Sequence, residues 1–408
     1  MATTPILMYG GAITSALSTL YTAPATGTTV ISNINVSSAT TGSLTLNLSN
    51  NGNPYPLIQQ TVTANTVYDY QINQVLGQNQ TITAQQTGVT PAWTAVSNGT
   101  ISNQAPRTIA TDGNGTWVTV GTTGTNGLYS TNNGLTWAIM TMPTNAGSWT
   151  SVTYGNGYFV AIGGVTLISS TQTSNLTAYS TNGSTWTAGN NLPSTSTWVD
   201  ITYGNGTFVA IAGGGTASTA IATATSATGT WTARTGASSD RWSKITYGNG
   251  YFVAVAGNSG NSTAAQYSTN GSTWTSSTLP ASSTWQSVVY GNGYFIAIAS
   301  SGATAISGTN GSTWTTGTTL PTGTTWSGIS YGSNLWVVSG TALSAYSTNN
   351  GSTWTSFASQ PTTVAASPVG YGNGWFNMLN NNTSGSTWYI NLNSASTINL
   401  SISGVNIV

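Results

Sequence analysis

Cysteine, histidine and glutamate are absent from this 408-residue chain. Only eight residues carry charge: Asp69, Asp112, Asp200, Asp240, Arg107, Arg234, Arg241 and Lys244, for a formal net charge of zero. Each absence removes a class of function. Without His or Cys there is no Ser-His-Asp or Cys-His catalysis, no disulfide framework and no ordinary zinc site. Four carboxylates leave calcium without its usual hard ligands. Two of them would have to converge for glycosidase chemistry, which needs a pair roughly 5–10 Å apart. Four scattered basic residues cannot neutralise a nucleic-acid backbone, and no lysine-bearing glycine loop offers a phosphate cradle. No run approaches the ~20 apolar residues of a membrane span. Residues 1–20 lack the basic start and long apolar core of a signal peptide, so none is expected.

Aromatic residues and turn formers are plentiful, with 16 Trp, 19 Tyr and 49 Gly. Low charge with abundant Ser, Thr and Asn is the composition of many disordered segments. Here, regular β-branched runs and so many large side chains supply enough apolar area for a packed core, at roughly 25 cal/mol per Å² buried.

The chain is organised around Ser151–Ile162, in which an alternating run breaks at Gly155-Asn156-Gly157 and resumes, followed by Tyr179–Trp186, broken at Asn182-Gly183. Asn-Gly tolerates the positive φ angles of tight hairpins, so each stretch reads as two strands and a turn. The first anchor recurs at Asp112, Tyr154, Tyr203, Tyr247, Tyr290, Tyr331 and Tyr371, spaced by 42, 49, 44, 43, 41 and 40 residues. Five residues after each stands Trp117, Phe159, Phe208, Phe252, Phe295, Trp336 or Phe376. A period near 40 with four strands per unit predicts a β-propeller, and seven anchors predict seven blades. Tryptophans end the fourth strand of six units, at Trp137, Trp186, Trp231, Trp274, Trp314 and Trp354. Trp93, in the context Pro-Ala-Trp-Thr-Ala, supplies the seventh. Residues 92–97 are therefore expected to close the ring as the outer strand of the last blade, which removes an exposed edge.

Three segments result: 1–88 as a small β-sandwich, 89–395 as the propeller, and 396–408 as an extra strand beyond the ring. The sandwich reading rests on alternating runs at 28–36, 43–49, 66–72 and 80–86, punctuated by Pro24, Asn51-Gly52-Asn53-Pro54 and Gly77.

Two resemblances bear on function. Leu20-Tyr-Thr-Ala-Pro24, Thr29–Val36 and Ser43–Leu48 resemble the N-terminal β-sandwich of tailed-bacteriophage virion proteins, over about 80 residues. Ser130-Thr-Asn-Asn-Gly-Leu-Thr-Trp137 and Ser347-Thr-Asn-Asn-Gly-Ser-Thr-Trp354 resemble the Asp-box of sialidase-type propellers, Ser-x-Asp-x-Gly-x-Thr-Trp, with Asn132 and Asn349 in place of Asp. That resemblance implies architecture without activity. Sialidases use three arginines on separate blades, a tyrosine with a glutamate partner and an acid/base aspartate. This chain has three arginines in all and no glutamate.

The repeat-phased tryptophans occupy one position per unit and read as inter-blade core, not as sugar platforms. Loop length is the better guide to recognition. The segments between second and third strands are longest in units two to four, at Gly163–Ala178, Ala212–Thr223 and Gly257–Gln266. Arg234, Asp240, Arg241 and Lys244 lie between units three and four and form the candidate ligand-binding cluster. The expected function is a non-enzymatic virion structural protein, a head or tail fibre, spike or decoration subunit. It would assemble with other virion proteins through its N-terminal segment, as a homo-oligomer, and present a propeller face to host-surface glycan. No cofactor, metal, nucleic acid or membrane insertion is expected. The alternative is a cellular secreted or surface carbohydrate-binding lectin.

Overall fold

A computed structural model describes residues 3–13, 18–22, 28–38, 42–50, 53–62, 66–76, 81–87, 94–97, 106–121, 126–143, 149–163, 174–257, 260–307, 310–357, 368–373, 375–379, 386–391 and 398–407. Among these every regular element is a β-strand. The chain divides into two compact units, Met1–Pro91 with Asn391–Val408, and Ala92–Ile390.

The first unit holds two four-stranded antiparallel sheets. One runs Thr3–Ile13, Ile398–Ile407, Thr28–Ser38, Thr66–Leu76 in spatial order; the other runs Ser18–Thr22, Thr81–Thr87, Gly42–Asn50, Asn53–Val62. This corrects the expectation of a spare C-terminal strand. Ile398–Ile407 fills the slot between Thr3–Ile13 and Thr28–Ser38, with Ile402 opposite both Tyr9 and Ile34. A strand paired on both edges is interior, so it is not available to a neighbouring sheet edge.

The second unit is a β-propeller of four-stranded blades. Five consecutive sheets share one plan. Their first strands are Trp149–Gly155, Trp198–Gly204, Trp242–Gly248, Trp285–Gly291 and Trp326–Gly332, and the next three strands follow in chain order. Two sheets flank them and depart from that plan. The one starting at Pro106–Thr111 lacks the leading tryptophan. The one starting at Val369–Gly372 takes its fourth strand from Thr94–Ser97, which pairs antiparallel with Ser386–Asn391. The expectation of seven blades is corrected to these five regular blades, flanked by the two divergent sheets. Neighbouring first strands touch along the whole series, and Val369–Gly372 also touches Pro106–Thr111. First strands are therefore the innermost.

Side-chain alternation explains the core. Each regular blade sends its leading tryptophan and its second-strand Phe or Trp inward, all at 0–1% exposure. Core clusters are shared between adjacent sheets: Val118 and Val120 of one pack with Trp149 and Phe159 of the next, and Val160 and Ile162 with Trp198 and Phe208. Burying such aromatics is the main source of ring stability. The tryptophans expected to end the fourth strands instead stand one residue before them; 137, 186, 231, 274 and 314 are buried, Trp354 is half-buried, and Trp93 lies outside the described residues.

The anchor register needs one correction. Phe159 pairs with Tyr154, whereas Trp117 pairs with Thr111 and not with Asp112. Asp112 belongs to a turn one residue longer, where its Oδ1 accepts the N–H groups of Asn114 (2.8 Å) and Thr116 (2.9 Å). The carboxylate satisfies turn donors that a two-residue Asn-Gly turn does not expose. In the regular blades, Asn156 (φ 51°) and Gly157 (φ 80°) form the type I′ geometry that Asn-Gly anticipates.

Candidate functional site

The four candidate residues fall into three environments. Lys244 lies on an innermost strand, and its Nζ sits 2.8 Å from Asp200 Oδ1 on the innermost strand of the preceding blade. Asp200 is 2% exposed, and two further donors reach it: Ser151 Oγ at 2.6 Å and the Ile245 N–H at 2.8 Å. One carboxylate thus ties three consecutive blades together. A buried carboxylate needs this many donors, since its desolvation would otherwise dominate. Lys244 is therefore part of a structural clamp beside the ring axis and leaves the proposed cluster.

Arg234 sits half-buried on the fourth strand Thr232–Asp240 and donates from Nε to Thr223 Oγ1 at 3.2 Å. Asp240 and Arg241 do stay together. Asp240 Oδ1 accepts the Arg241 N–H at 2.7 Å, and Oδ2 accepts Ser262 Oγ at 3.0 Å from the next blade. Arg241 O accepts the Gly257 N–H at 2.9 Å, and the Arg241 side chain is exposed close to Gly260.

The elaborated segments of units three and four, expected as loops, are loops only in part, with residues 213–217 of unit three forming a turn. They continue as strands Ser218–Ala224 and Ser262–Ser268, paired with fourth strands Thr232–Asp240 and Thr275–Ser283. Fourth strands of the other regular blades are two residues long. These two blades therefore extend their outer halves past their neighbours and hold Asp240 and Arg241 at the extended end. Residues 164–173 of unit two lie outside the described residues.

The opposite face carries the short turns and the anchor tyrosines. Tyr203, Tyr247, Tyr290, Tyr331 and Tyr371 each lie over a glycine of the preceding blade, respectively Gly155, Gly204, Gly248, Gly291 and Gly332. A Cβ on any of those glycines would fall inside the ring, closer than the 3.0 Å that side-chain carbons keep. Each tyrosine also stacks obliquely on its own blade's second-strand aromatic, with centroids 4.6–4.8 Å apart. Burial first, and then the neighbouring Tyr371, raise the Tyr331 phenol above its usual value. Arg107, on the innermost strand of the first sheet, has its pKa lowered by burial.

The second hairpins are held by side chains. In the longer form, Asn132 Oδ1 accepts Ser130 Oγ (2.9 Å) and the Thr136 N–H (2.9 Å), and Trp137 Nε1 donates to Gly134 O (2.9 Å). In the shorter form, Asn182 Oδ1 accepts the N–H groups of Ser184 (3.0 Å) and Thr185 (2.9 Å), and Trp186 Nε1 donates to Gly183 O (2.9 Å). The unit at Ser226–Trp231 has no Asn-Gly, and its buried indole N–H finds no partner among the described residues.

Sequence reasoning missed the five leading tryptophans. Their signal was available: Trp149, Trp198, Trp242, Trp285 and Trp326 each precede an anchor tyrosine by five residues. It also missed the Asp200 clamp, whose partners are about 45 residues apart in sequence and meet only because innermost strands are neighbours.

As to chemistry, Asp112, Asp200 and Asp240 are each committed to hydrogen bonds within the fold. Asp69 belongs to the other unit, on strand Thr66–Leu76. No group of three or more metal-ligating acidic, His or Cys side chains occurs among the described residues, and no helix there is long and apolar enough to cross a membrane.

No protein-family model and no curated protein matches the chain. Solved structures do match in fold. A virginiamycin B lyase from Staphylococcus aureus aligns at 14% identity and TM-score 0.59, over 78% of this chain and 99% of that one. YCF48 bound to D1 peptide aligns at 16% and 0.55, over 74% and 96%. The WD40 β-propeller domain of Doa1 aligns at 9% and 0.52, over 74% and 97%. At these identities the likeness concerns the propeller architecture alone.

Proposed function

We propose that this chain is a non-enzymatic display protein of a virion surface, a head or tail fibre, spike or decoration subunit, whose small unit anchors it and whose propeller binds. In this reading the five regular blades and two divergent sheets close as one seven-bladed ring, and the small unit is a β-sandwich. The observation that carries the proposal is the connectivity. Residues 92–390 are an insertion between the two segments that build the small unit, and the strand following the insertion is interior to the small unit's sheet. A recognition domain held at both ends by an anchor suits display. The virion assignment itself rests on the resemblance of Leu20–Pro24, Thr29–Val36 and Ser43–Leu48 to phage β-sandwiches.

The extended ends of the two long blades, with Asp240 and Arg241, form the binding face for host-surface glycan. The commitment of Asp112, Asp200 and Asp240 to structural hydrogen bonds supports the non-enzymatic reading. A cellular lectin is the second reading, and a peptide ligand is a third, prompted by the peptide-bound YCF48 neighbour. The small unit would contact other virion proteins and bring copies of the chain together.

The test uses the full chain with Ile402→Pro, which removes an N–H from the middle of an interior strand. Loss of particle attachment and of self-association, with cell binding by the propeller kept, supports the proposal. Unchanged attachment to particles and unchanged light scattering would make the propeller the anchor.

A further inference from the structure

Asparagine followed by glycine recurs in two structurally different places, and the difference is chemical. In the second hairpins the reacting groups are tied down. Asn182 and Asn270 each hold two backbone N–H groups on Oδ1, at 2.8–3.0 Å. The following glycine N–H donates to a serine Oγ, Gly183 to Ser180 and Gly271 to Ser268, both at 2.9 Å. Both glycines are buried. Gly134 and Gly351, which follow Asn133 and Asn350, are held the same way by Ser130 and Ser347 at 3.0 Å.

In the first hairpins of the second and third sheets nothing is tied. Asn156, Gly157, Asn205 and Gly206 are all exposed, and around Gly157 and Gly206 even an added Cβ would meet no atom within 4 Å. Neither asparagine side chain nor the following glycine N–H has a hydrogen-bond partner among the described residues. The related turn at Asn292 differs again, since its Nδ2 donates to Asn350 Oδ1 at 2.9 Å.

We propose that Asn156 and Asn205 are sites of non-enzymatic deamidation, and that the serine-held second hairpins are protected from it. The Gly157 nitrogen attacks Asn156 Cγ, and the new C–N bond closes a succinimide. The bond from Cγ to the side-chain nitrogen breaks, and ammonia leaves carrying the glycine's proton. Water then opens the ring at either carbonyl to give an aspartyl or isoaspartyl residue. Water is the only co-reactant, and the same sequence applies at Asn205 and Gly206. Glycine favours it because no side chain hinders the attacking nitrogen, and exposure supplies water to both steps.

Each event adds one negative charge to a chain whose formal net charge is zero. Adding fixed charge to such a neutral protein changes its solubility and its long-range attraction for ions and partners. Both sites lie on the short-turn face, so that face becomes anionic while the face bearing Arg241 does not.

The experiment incubates the purified full chain at mildly alkaline pH. Charge is followed by isoelectric focusing, and position by peptide mapping with isoaspartyl-specific methyl transfer. N156Q, N205Q and the double variant run alongside. The expected result is stepwise acidic bands in the parent, conversion at Asn156 and Asn205 ahead of Asn182 and Asn270, and loss of the two earliest acidic bands in the double variant. Urea-unfolded chain, where the serine contacts are gone, should convert at all four positions. Conversion of Asn182 or Asn270 in the folded chain as early as Asn156 overturns the proposal. So does a folded chain that leaves Asn156 and Asn205 intact.

Discussion

Gly332→Ala should destabilise the protein, yet become neutral or favourable once Tyr371 is shortened. Gly332 ends an innermost strand, and the nearest atoms to a Cβ built there are Cδ1, Cγ and Cε1 of Tyr371 on the next blade. All three belong to the aromatic ring, and Cγ sits at its base, so no small rotation clears the clash. Forcing a methyl group into a filled site costs roughly 1–3 kcal/mol. Expelling the ring adds the loss of its oblique contact with Phe376 (4.8 Å, 55°), on the order of 0.5–1.5 kcal/mol. The Tyr371 hydroxyl contact with Ser333 Oγ, 2.6 Å, goes with it. The sum is about 2–4 kcal/mol. Tyr371→Ala has its own cost, about 2–4 kcal/mol for a half-buried aromatic. With the ring gone the obstacle goes too. Gly332 has no positive φ, so alanine there only restricts the unfolded chain, a gain of roughly 0.4–1 kcal/mol. Urea midpoints at unchanged slope, followed by tryptophan fluorescence, measure the four corners of the cycle. If Gly332→Ala costs the same in both backgrounds within ~0.5 kcal/mol, inter-blade contact is not what excludes a side chain there.

Further expectations can be checked on the same footing. Asp200→Ala removes the acceptor of Lys244, Ser151 and the Ile245 N–H and should cost ~3–5 kcal/mol in midpoint-derived stability; Lys244→Met, which leaves two donors in place, should cost less, ~1–3 kcal/mol. Trp274→Ala should cost ~3–5 kcal/mol; Trp274→Phe should exceed Trp231→Phe by ~1 kcal/mol, because only Trp274 donates an indole hydrogen bond, 3.0 Å to Gly271 O. Tyr331 has a raised phenol pKa, so the unfolded chain ionises there first; stability holds below about pH 10 and falls as pH rises towards the folded value, and melting curves of Tyr331→Phe should show a shallower alkaline decline. Arg241→Ala should lower cell or glycan binding with an unchanged melting temperature, and salt should alter that binding little in a chain without net charge.

What could be read from the sequence was whatever repeats locally. The Tyr-Gly-Asn-Gly turns and the Asn-Gly-Ser-Thr-Trp hairpins carry their geometry in adjacent residues, and they mark out four-stranded blades. The reading failed where a contact spans blades. Asp112 looked like an anchor because the count from Trp117 was kept at five, but its carboxylate builds a longer turn and moves the register to Thr111. Lys244 looked like a neighbour of Arg241 because only two residues separate them. Strand alternation and the adjacent blade turn it towards Asp200 instead. Long insertions in units three and four read as loops because their Ser, Thr and Ala are poor strand markers, while the pairing of Ala220 with Thr235 and Ala264 with Thr278 extends the sheet. No local pattern could show that Ile398–Ile407 belongs between Thr3–Ile13 and Thr28–Ser38, since that pairing joins residues at opposite ends of the numbering.

That last pairing sets a timetable for biosynthesis. The strand that joins Thr3–Ile13 and Thr28–Ser38 is made about 360 residues after the second of them. At ordinary translation speeds of about 5–20 residues per second, the gap between them stays open for roughly 20–70 s. During that interval two strand edges face solvent, each able to capture the matching segment of another nascent chain. The propeller, whose blades are made and can pack in order, matures while that sheet waits for its keystone. This connectivity therefore makes exchange of Ile398–Ile407 between nascent copies a hazard confined to translation, since the mature strand is paired on both edges.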